Sequence, residues 1–268
     1  MTEKDAIDQP GTLLVGTGEN ARQIGFRSRP GAEPTLVWLG GYRSDMRGTK
    51  AEHLAATAAD AGLGFCRLDY SGHGISGGRF EDGTISRWTE EAAAVIAHAV
   101  SGRMILVASS MGAWIALRLV QRAAEFALSG RIAGLLLLAP APDFTHRLMK
   151  PQMSEEHFRA LRTDGFFTEP SEYGPEPNIY TRALFDDGDA NLVMEDLIET
   201  HCPVTIIQGM SDPDVPYQHA LELVSHLPFH GVVTTLVRDG DHRLSRPQDL
   251  ALIRRAVLDL ADSIAKEG

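Results

Sequence analysis

The run Val107-Ala108-Ser109-Ser110-Met111-Gly112 follows the apolar residues Met104-Ile105-Leu106 and leads directly into a helix-compatible stretch over residues 113–120. A strand that passes into a helix with almost no linker must reverse sharply, and it needs small residues where the two backbones crowd. Such a turn lifts a serine hydroxyl above the end of a parallel sheet. It also sets conditions on the rest of the chain: a carboxylate and then a histidine, each near the end of a later strand.

Two serines compete for the apex. Ser110 has Ala108 and Gly112 two places either side, whereas Ser109 would have Val107 and Met111. Ser110 is therefore the nucleophile candidate, with Ala108 standing where the usual pattern has glycine. The same residues could also serve as a simple helix N-cap, which serine does well, so the turn gains weight only through its partners.

The acid is sought in Val204-Thr205-Ile206-Ile207-Gln208-Gly209-Met210-Ser211-Asp212-Pro213-Asp214. Asp212 follows the strand's closing glycine, while Asp214 stands nearer a helix start, where a carboxylate has a structural use against the dipole. Asp212 is the expected partner of a histidine base. Of ten histidines, only His242 lies between the last strand and the final helix, completing the order Ser, Asp, His. His53, His98, His157, His219, His226 and His230 read as surface or packing residues. His73, in the glycine-rich Asp69-Tyr70-Ser71-Gly72-His73-Gly74, is a candidate to line the site.

Acyl transfer develops negative charge on oxygen, so backbone N–H donors should already face it. Met111 offers one at the start of a helix, where the dipole also favours an anion. Tyr42, after the paired Gly40-Gly41, is the expected second donor. Each such donor stabilises the transition state by about 3 kcal/mol.

Apolar runs alternating with Ala-rich amphipathic stretches have the rhythm of βαβ units and a mostly parallel, doubly wound sheet. Strands are expected over 11–15, 22–27, 35–39, 64–69, 104–108, 134–138, 204–208 and 232–237, the first two antiparallel. Helices are expected near 49–61, 85–100, 111–126, 217–226 and 246–265. Residues 140–201 break the rhythm, with no strand of the earlier type, and are read as a small cap inserted in a single domain spanning 1–268. Its Phe144, Met149, Phe158 and Phe166 are candidate substrate contacts, beside Met153, Phe167, Tyr173 and Tyr180. An apolar acyl group suits such a lining, although the same residues could equally form the cap's own core.

A net charge of −11 with no compensating basic cluster argues against a nucleic-acid partner. Cys66 and Cys202 lack neighbours at ligand spacing and read as small hydrophobes, so neither a disulfide framework nor a metal is expected. The longest apolar run, 134–139, is far too short to span a bilayer. The polar, acidic start, Met1-Thr2-Glu3-Lys4-Asp5, resembles neither a signal peptide nor a transit peptide, and a cytoplasmic location is expected.

Taken together, these features resemble the α/β-hydrolase superfamily across nearly the whole chain. Gly40-Gly41-Tyr42-Arg43-Ser44-Asp45-Met46, Asp69-Tyr70-Ser71-Gly72, Ser109-Ser110-Met111-Gly112-Ala113-Trp114 and Asp241-His242-Arg243 are similar to one abhydrolase-domain subfamily. Its mitochondrial members are known as acyl-protein thioesterases and mycophenolic acid acyl-glucuronide esterases. The resemblance implies a cofactor-free serine hydrolase of acyl esters or thioesters, acylated proteins among them, acting as a monomer or small homo-oligomer. A small-ester carboxylesterase, a carbon–carbon bond hydrolase and a catalytically silent binding protein share the same scaffold. Dehalogenases and epoxide hydrolases place Asp where Ser110 stands.

Overall fold

The computed structural model describes residues 8–171 and 177–266. Along the chain run β1 (Gln9–Val15), β2 (Arg22–Arg29), β3 (Ala32–Leu39), α1 (Thr49–Ala61), β4 (Leu63–Leu68), α2 (Ile85–Ala99), β5 (Met104–Ser109) and α3 (Met111–Gln121). After them come β6 (Ile132–Leu138), α4 (Glu155–Thr163), β7 (Phe166–Glu169), β8 (Asn178–Thr181), α5 (Arg182–Asp189), β9 (Val204–Gly209), α6 (Tyr217–Ser225), β10 (Val232–Val237) and α7 (Pro247–Lys266).

Eight strands form one sheet in the order β1-β2-β4-β3-β5-β6-β9-β10. β1 and β2 pair antiparallel, as do β2 and β4, and every later pairing is parallel. The expected mostly parallel α/β sheet is what forms. β4 and β5 are buried at every residue, which is why they read as largely apolar runs, the one charge, Arg67, being paired with Asp8 and Glu52. The strand period of two deals their side chains to opposite faces. Leu36, Ile105, Leu136 and Ile207 pack under α1 and α7, against Leu54, Ile253 and Val257. Val37, Leu106, Leu135 and Ile206 belong to the other face, with Trp88, Trp114 and Leu223 of α2, α3 and α6.

Helix α3 ends at Gln121, five residues before the expected boundary. The chain there breaks into turns, closed by Leu128 N–H on the Ala123 carbonyl, with Ala127 left-handed at φ 55°. Periodicity continues through such turns because the residues still face the core.

Between β6 and β9 the chain forms a π-helical turn (Thr145–Met149), α4, α5 and an antiparallel β7–β8 hairpin. The hairpin is an element the sequence reading did not place: its strands, unlike the buried ones of the main sheet, are four residues each and are mostly partly exposed. Leu161, Phe167 and Phe185 make a small core there, flanked by Met149, Met153 and Tyr180. The segment is fastened to the sheet's body by Trp114 Nε1 donating to the Asn191 carbonyl (2.9 Å) and by the Tyr42 hydroxyl donating to the Ile179 carbonyl. Tyr173 lies outside the described residues. Among the described residues no helix is long and apolar enough to cross a membrane.

Candidate active site

Strand β5 delivers Ser110 into a left-handed conformation, φ 54° and ψ −121°. A non-glycine residue persists there only where its surroundings over-determine it. Ser110 N–H donates to the Leu138 carbonyl (3.0 Å), and its own carbonyl accepts from Ala113 N–H (3.0 Å) and Ala141 N–H (3.2 Å). Gly112 admits no side chain, because a Cβ would stand 2.3 Å from the Leu39 oxygen and 2.6 Å from that of Gly40. Ala108 fits, fully buried between its strand partners Leu39 and Leu137.

Asp212 lies in the turn after β9. Its Oδ1 accepts from Asp214 N–H (2.9 Å) and Val215 N–H (2.8 Å), and its Oδ2 from Gln208 Nε2 (3.2 Å) and His242 Nδ1 (2.8 Å). With Nδ1 carrying the proton, His242 Nε2 is the acceptor for the Ser110 hydroxyl at 3.1 Å. The carboxylate is buried and the imidazole partly open to solvent. Three side chains expected from the sequence thus meet in one hydrogen-bonded row. Asp214 supplies its amide to Asp212 and lines a cavity. Gln208, to which the sequence assigned no role, also donates to the carbonyls of Gly209 and Val215, locking the turn around Asp212. Its signal was available in the polar residue at the end of an apolar strand.

Asp212, Asp214 and His242 each offer a donor atom within 4.8 Å of the others. The four hydrogen bonds on the Asp212 oxygens already use about all the lone pairs a carboxylate has, so this donor set suits a proton path better than a cation.

The loop after β3 comes close to Ser110. A Cβ on Gly41 would lie 3.2 Å from the Ser110 Cβ, so glycine permits the approach. Tyr42 and Met111 both border Ser110. His73, expected to line the site, is instead buried and lies outside both cavities that open on Ser110. Its Nε2 accepts from Arg43 N–H (3.1 Å) and its Nδ1 donates to the Ser71 carbonyl (3.1 Å). Burial lowers its pKa to about 4, so the ring is neutral and serves the loop as an acceptor. Asp69 braces the same region, accepting from Met46 N–H (2.6 Å) and Ile75 N–H (2.9 Å).

Two cavities meet at Ser110 and His242. The smaller, about 200 Å³, is lined by Met111, Ala141, Phe144, Leu148, Met149 and Val215, with Tyr180 and the carboxylates Glu169 and Asp214. The larger, about 640 Å³, has a mixed lining in which Trp38 and Tyr42 stand beside Arg43, Asp45, Lys50 and Arg243. Phe144 and Met149 therefore sit where the sequence suggested. Phe158 lines neither cavity and lies half-buried on α4. Phe166 is 44% exposed and borders a separate surface hollow beside Arg79 and Arg182. In β7 it alternates with Phe167, which takes the inward position in the small core.

Comparison with known proteins places the fold among the α/β hydrolases. The model of the serine aminopeptidase S33 family (Hydrolase_4) matches residues 34–163. The mitochondrial palmitoyl-protein thioesterase ABHD10 of Mus musculus is 28% identical over 265 residues, covering 97% of this chain and 86% of that protein. The Homo sapiens protein of that name is 27% identical, covering 90% and 78%. Among solved structures, a protein from Agrobacterium vitis S4 provisionally described as a hydrolase is 54% identical, with a TM-score of 0.90 over 95% of this chain and 99% of that one. Mouse alpha/beta hydrolase domain-containing protein 10 superimposes with a TM-score of 0.84 at 25% identity, over 96% and 99%. The curated relatives are mitochondrial by name, which overturns the cytoplasmic location expected above. The residues behind that expectation, 1–5, lie outside the described residues, and acidic composition is weak evidence of address because targeting segments are recognised and removed.

Proposed function

We propose that this chain, which belongs to the α/β-hydrolase family, cleaves acyl ester or thioester substrates through an acyl-enzyme on Ser110. His242, held in one tautomer by Asp212, takes the Ser110 proton as the oxygen attacks the acyl carbonyl. The N–H groups of Tyr42 and Met111 receive the negative charge that develops, without reorganising at the moment of reaction. His242 then returns the proton to the departing thiolate or alkoxide, and water repeats the sequence on the acyl-enzyme. Acylated proteins are the natural class of substrate to test, given the names of the relatives.

The observation that carries the reading is the unbroken row from Ser110 through His242 to Asp212, at 3.1 and 2.8 Å. A fluorophosphonate probe is expected to label the protein and to spare Ser110→Ala. Asp212→Asn, which leaves the imidazole in the wrong tautomer, should lower kcat by roughly 10³–10⁴-fold on a nitrophenyl ester. Equal labelling of wild type and Ser110→Ala would refute the assignment of the nucleophile.

A further inference from the structure

Helix α1 carries a lysine in its first turn, the wrong charge for that place. The N-terminal end of a helix is the positive pole of its dipole and favours carboxylates, so Lys50, just after the Gly48 N-cap, is disfavoured by its own helix. Its side chain instead crosses to the loop between β10 and α7, where Nζ donates to the carbonyl of Arg243, the residue after His242. We infer that Lys50 is a positioning residue for the reaction: by holding that carbonyl from α1, it keeps the loop where His242 Nε2 meets Ser110. This rests on the serine-hydrolase reading above and adds to it a residue that acts through the histidine.

The peptide group joining Arg243 to Leu244 is pinned at both ends. Its carbonyl accepts from Lys50 Nζ and from the Ser245 hydroxyl (2.9 Å), and its N–H donates to Asp241 Oδ1 (2.9 Å). Leu244 is left-handed at φ 45° and fully buried, in one core cluster with Ile253 and Val257 of α7. A leucine keeps such a conformation only where its neighbours over-determine it. His242 thus stands between two residues that are both tied, and its ring has a set place. That place matters because Nε2 lies 3.1 Å from the Ser110 oxygen. Proton transfer needs about 2.6–3.2 Å, so the pair is near the outer limit and a small drift of the loop breaks the contact. A misplacement of about 1 Å costs on the order of 10²-fold in rate.

The charge on the amine sets how firmly it holds. A hydrogen bond from a cation is roughly twice as strong as one between neutral groups. Burial lowers the Lys50 pKa to about 8 from an ordinary 10.5. Asp241 of the same loop, Asp212 of the turn after β9 and Asp249 of α7 favour the ammonium, while Arg243 opposes it. Arg43 and Asp45, from the loop after β3, line the same cavity with opposite charges. Below about pH 8 Nζ is therefore an ammonium, and above it a neutral, weaker donor. Burial pushes the Cys66 and Cys202 thiols up to about 12, so neither titrates in this range.

Turnover of nitrophenyl hexanoate, counted per fluorophosphonate-reactive site, tests this role. A lysine that only stabilises the fold changes the number of such sites and not the rate of each. Lys50→Met is expected to lower kcat per site by roughly tenfold at pH 7, with KM within about twofold of wild type. Lys50→Arg, which keeps a charged donor, should recover at least about half of the wild-type kcat. With spontaneous hydrolysis subtracted, wild-type kcat should fall roughly three- to fivefold as pH rises through about 8. That fall should be absent from Lys50→Arg, whose guanidinium stays charged, and from Lys50→Met. Should Lys50→Met yield no labelled protein, the pH profiles of wild type and Lys50→Arg decide alone. Unchanged kcat per site in Lys50→Met overturns the positioning role, as does an equal alkaline fall in wild type and Lys50→Arg. A rise in KM at constant kcat also overturns it, because Lys50 would then touch the substrate and not act through His242. Absence of Ser110-dependent turnover in wild type overturns the serine-hydrolase reading and the role of Lys50 with it.

Discussion

His73 shows how a residue can matter to the site without lining it. Its neutral ring joins the Arg43 amide to the Ser71 carbonyl, and so fixes the loop that carries Tyr42. Protonation would aim an N–H at the Arg43 N–H, which is why burial and this geometry hold the pKa near 4 against an ordinary 6.5. The depressed value means the unfolded chain takes up a proton that the native state refuses. Stability is therefore intact above about pH 6.5 and is lost as pH falls towards 4, by up to about 3 kcal/mol. Urea unfolding of wild type across that window should show the loss, and His73→Gln, which cannot take the charge, should flatten it. An identical pH slope in the two proteins would remove His73 from the account. The sequence placed His73 in a glycine-rich loop near the site but could not tell a lining residue from a brace. That distinction depends on Ser71 and Arg43 lying on opposite edges of one ring, and it is set by folding of two separate loops.

At the scale of elements, the segment between β6 and β9 is where sequence patterns were least informative. A four-residue strand offers only two alternations, too few to stand out from a loop, and so β7 and β8 escaped notice while eight longer strands did not. Their position is nevertheless well defined, because the Tyr42 hydroxyl donates to Ile179 in β8 and Tyr42 stacks on Tyr180. Tyr42 thus has two proposed duties: its amide faces the reacting oxygen and its side chain holds one wall of the smaller cavity. Tyr42→Phe separates them, since it removes only the hydroxyl. Loss of one such bond is worth about 0.5–1.5 kcal/mol, so KM should rise by roughly 2–10-fold on hexanoate with kcat nearly unchanged. A fall in kcat at constant KM would mean that the hydroxyl acts on the chemistry and not on the wall.

Across the whole molecule, the antiparallel β1–β2 pair is bound to the parallel body by buried charge as well as by strand pairing. Arg22 Nε of β2 donates to Glu91 of α2 at 2.6 Å, and the other Glu91 oxygen accepts from Ser71 N–H at 2.8 Å. Glu91 is fully buried and Arg22 nearly so. Arg22 also pairs with the half-exposed Glu90 at 2.7 Å, so removing Glu91 leaves the buried guanidinium with one carboxylate in place of two and takes the acceptor from Ser71 N–H, at a cost near the lower end of about 3–5 kcal/mol. Glu91→Leu should accordingly lower Tm by about 10 °C in a thermal melt, for a chain of this size. Arg22→Met added to Glu91→Leu should recover much of that loss, because apolar pairs often replace buried ion pairs without penalty. If the double variant melts no higher than the single one, the loss came from packing and not from the guanidinium left with Glu90 alone.

Features whose information is local were legible in the chain alone. Burial on both faces forces apolar runs, so the strands could be read directly, and the serine turn could be read because Gly112 leaves no room for a side chain. The order of Ser110, Asp212 and His242 was legible for the same reason, each following the end of its own strand. Whatever depends on distance through space was settled by folding. It brought His242 within 3.1 Å of a serine 132 positions earlier, put Gln208 behind Asp212, withdrew Phe158 and Phe166 from the site and shaped the cavity of about 200 Å³ beside Ser110. These follow from how the β6–β9 segment seats on the sheet, and a seat is the sum of many weak contacts between residues remote in sequence, which no local pattern encodes.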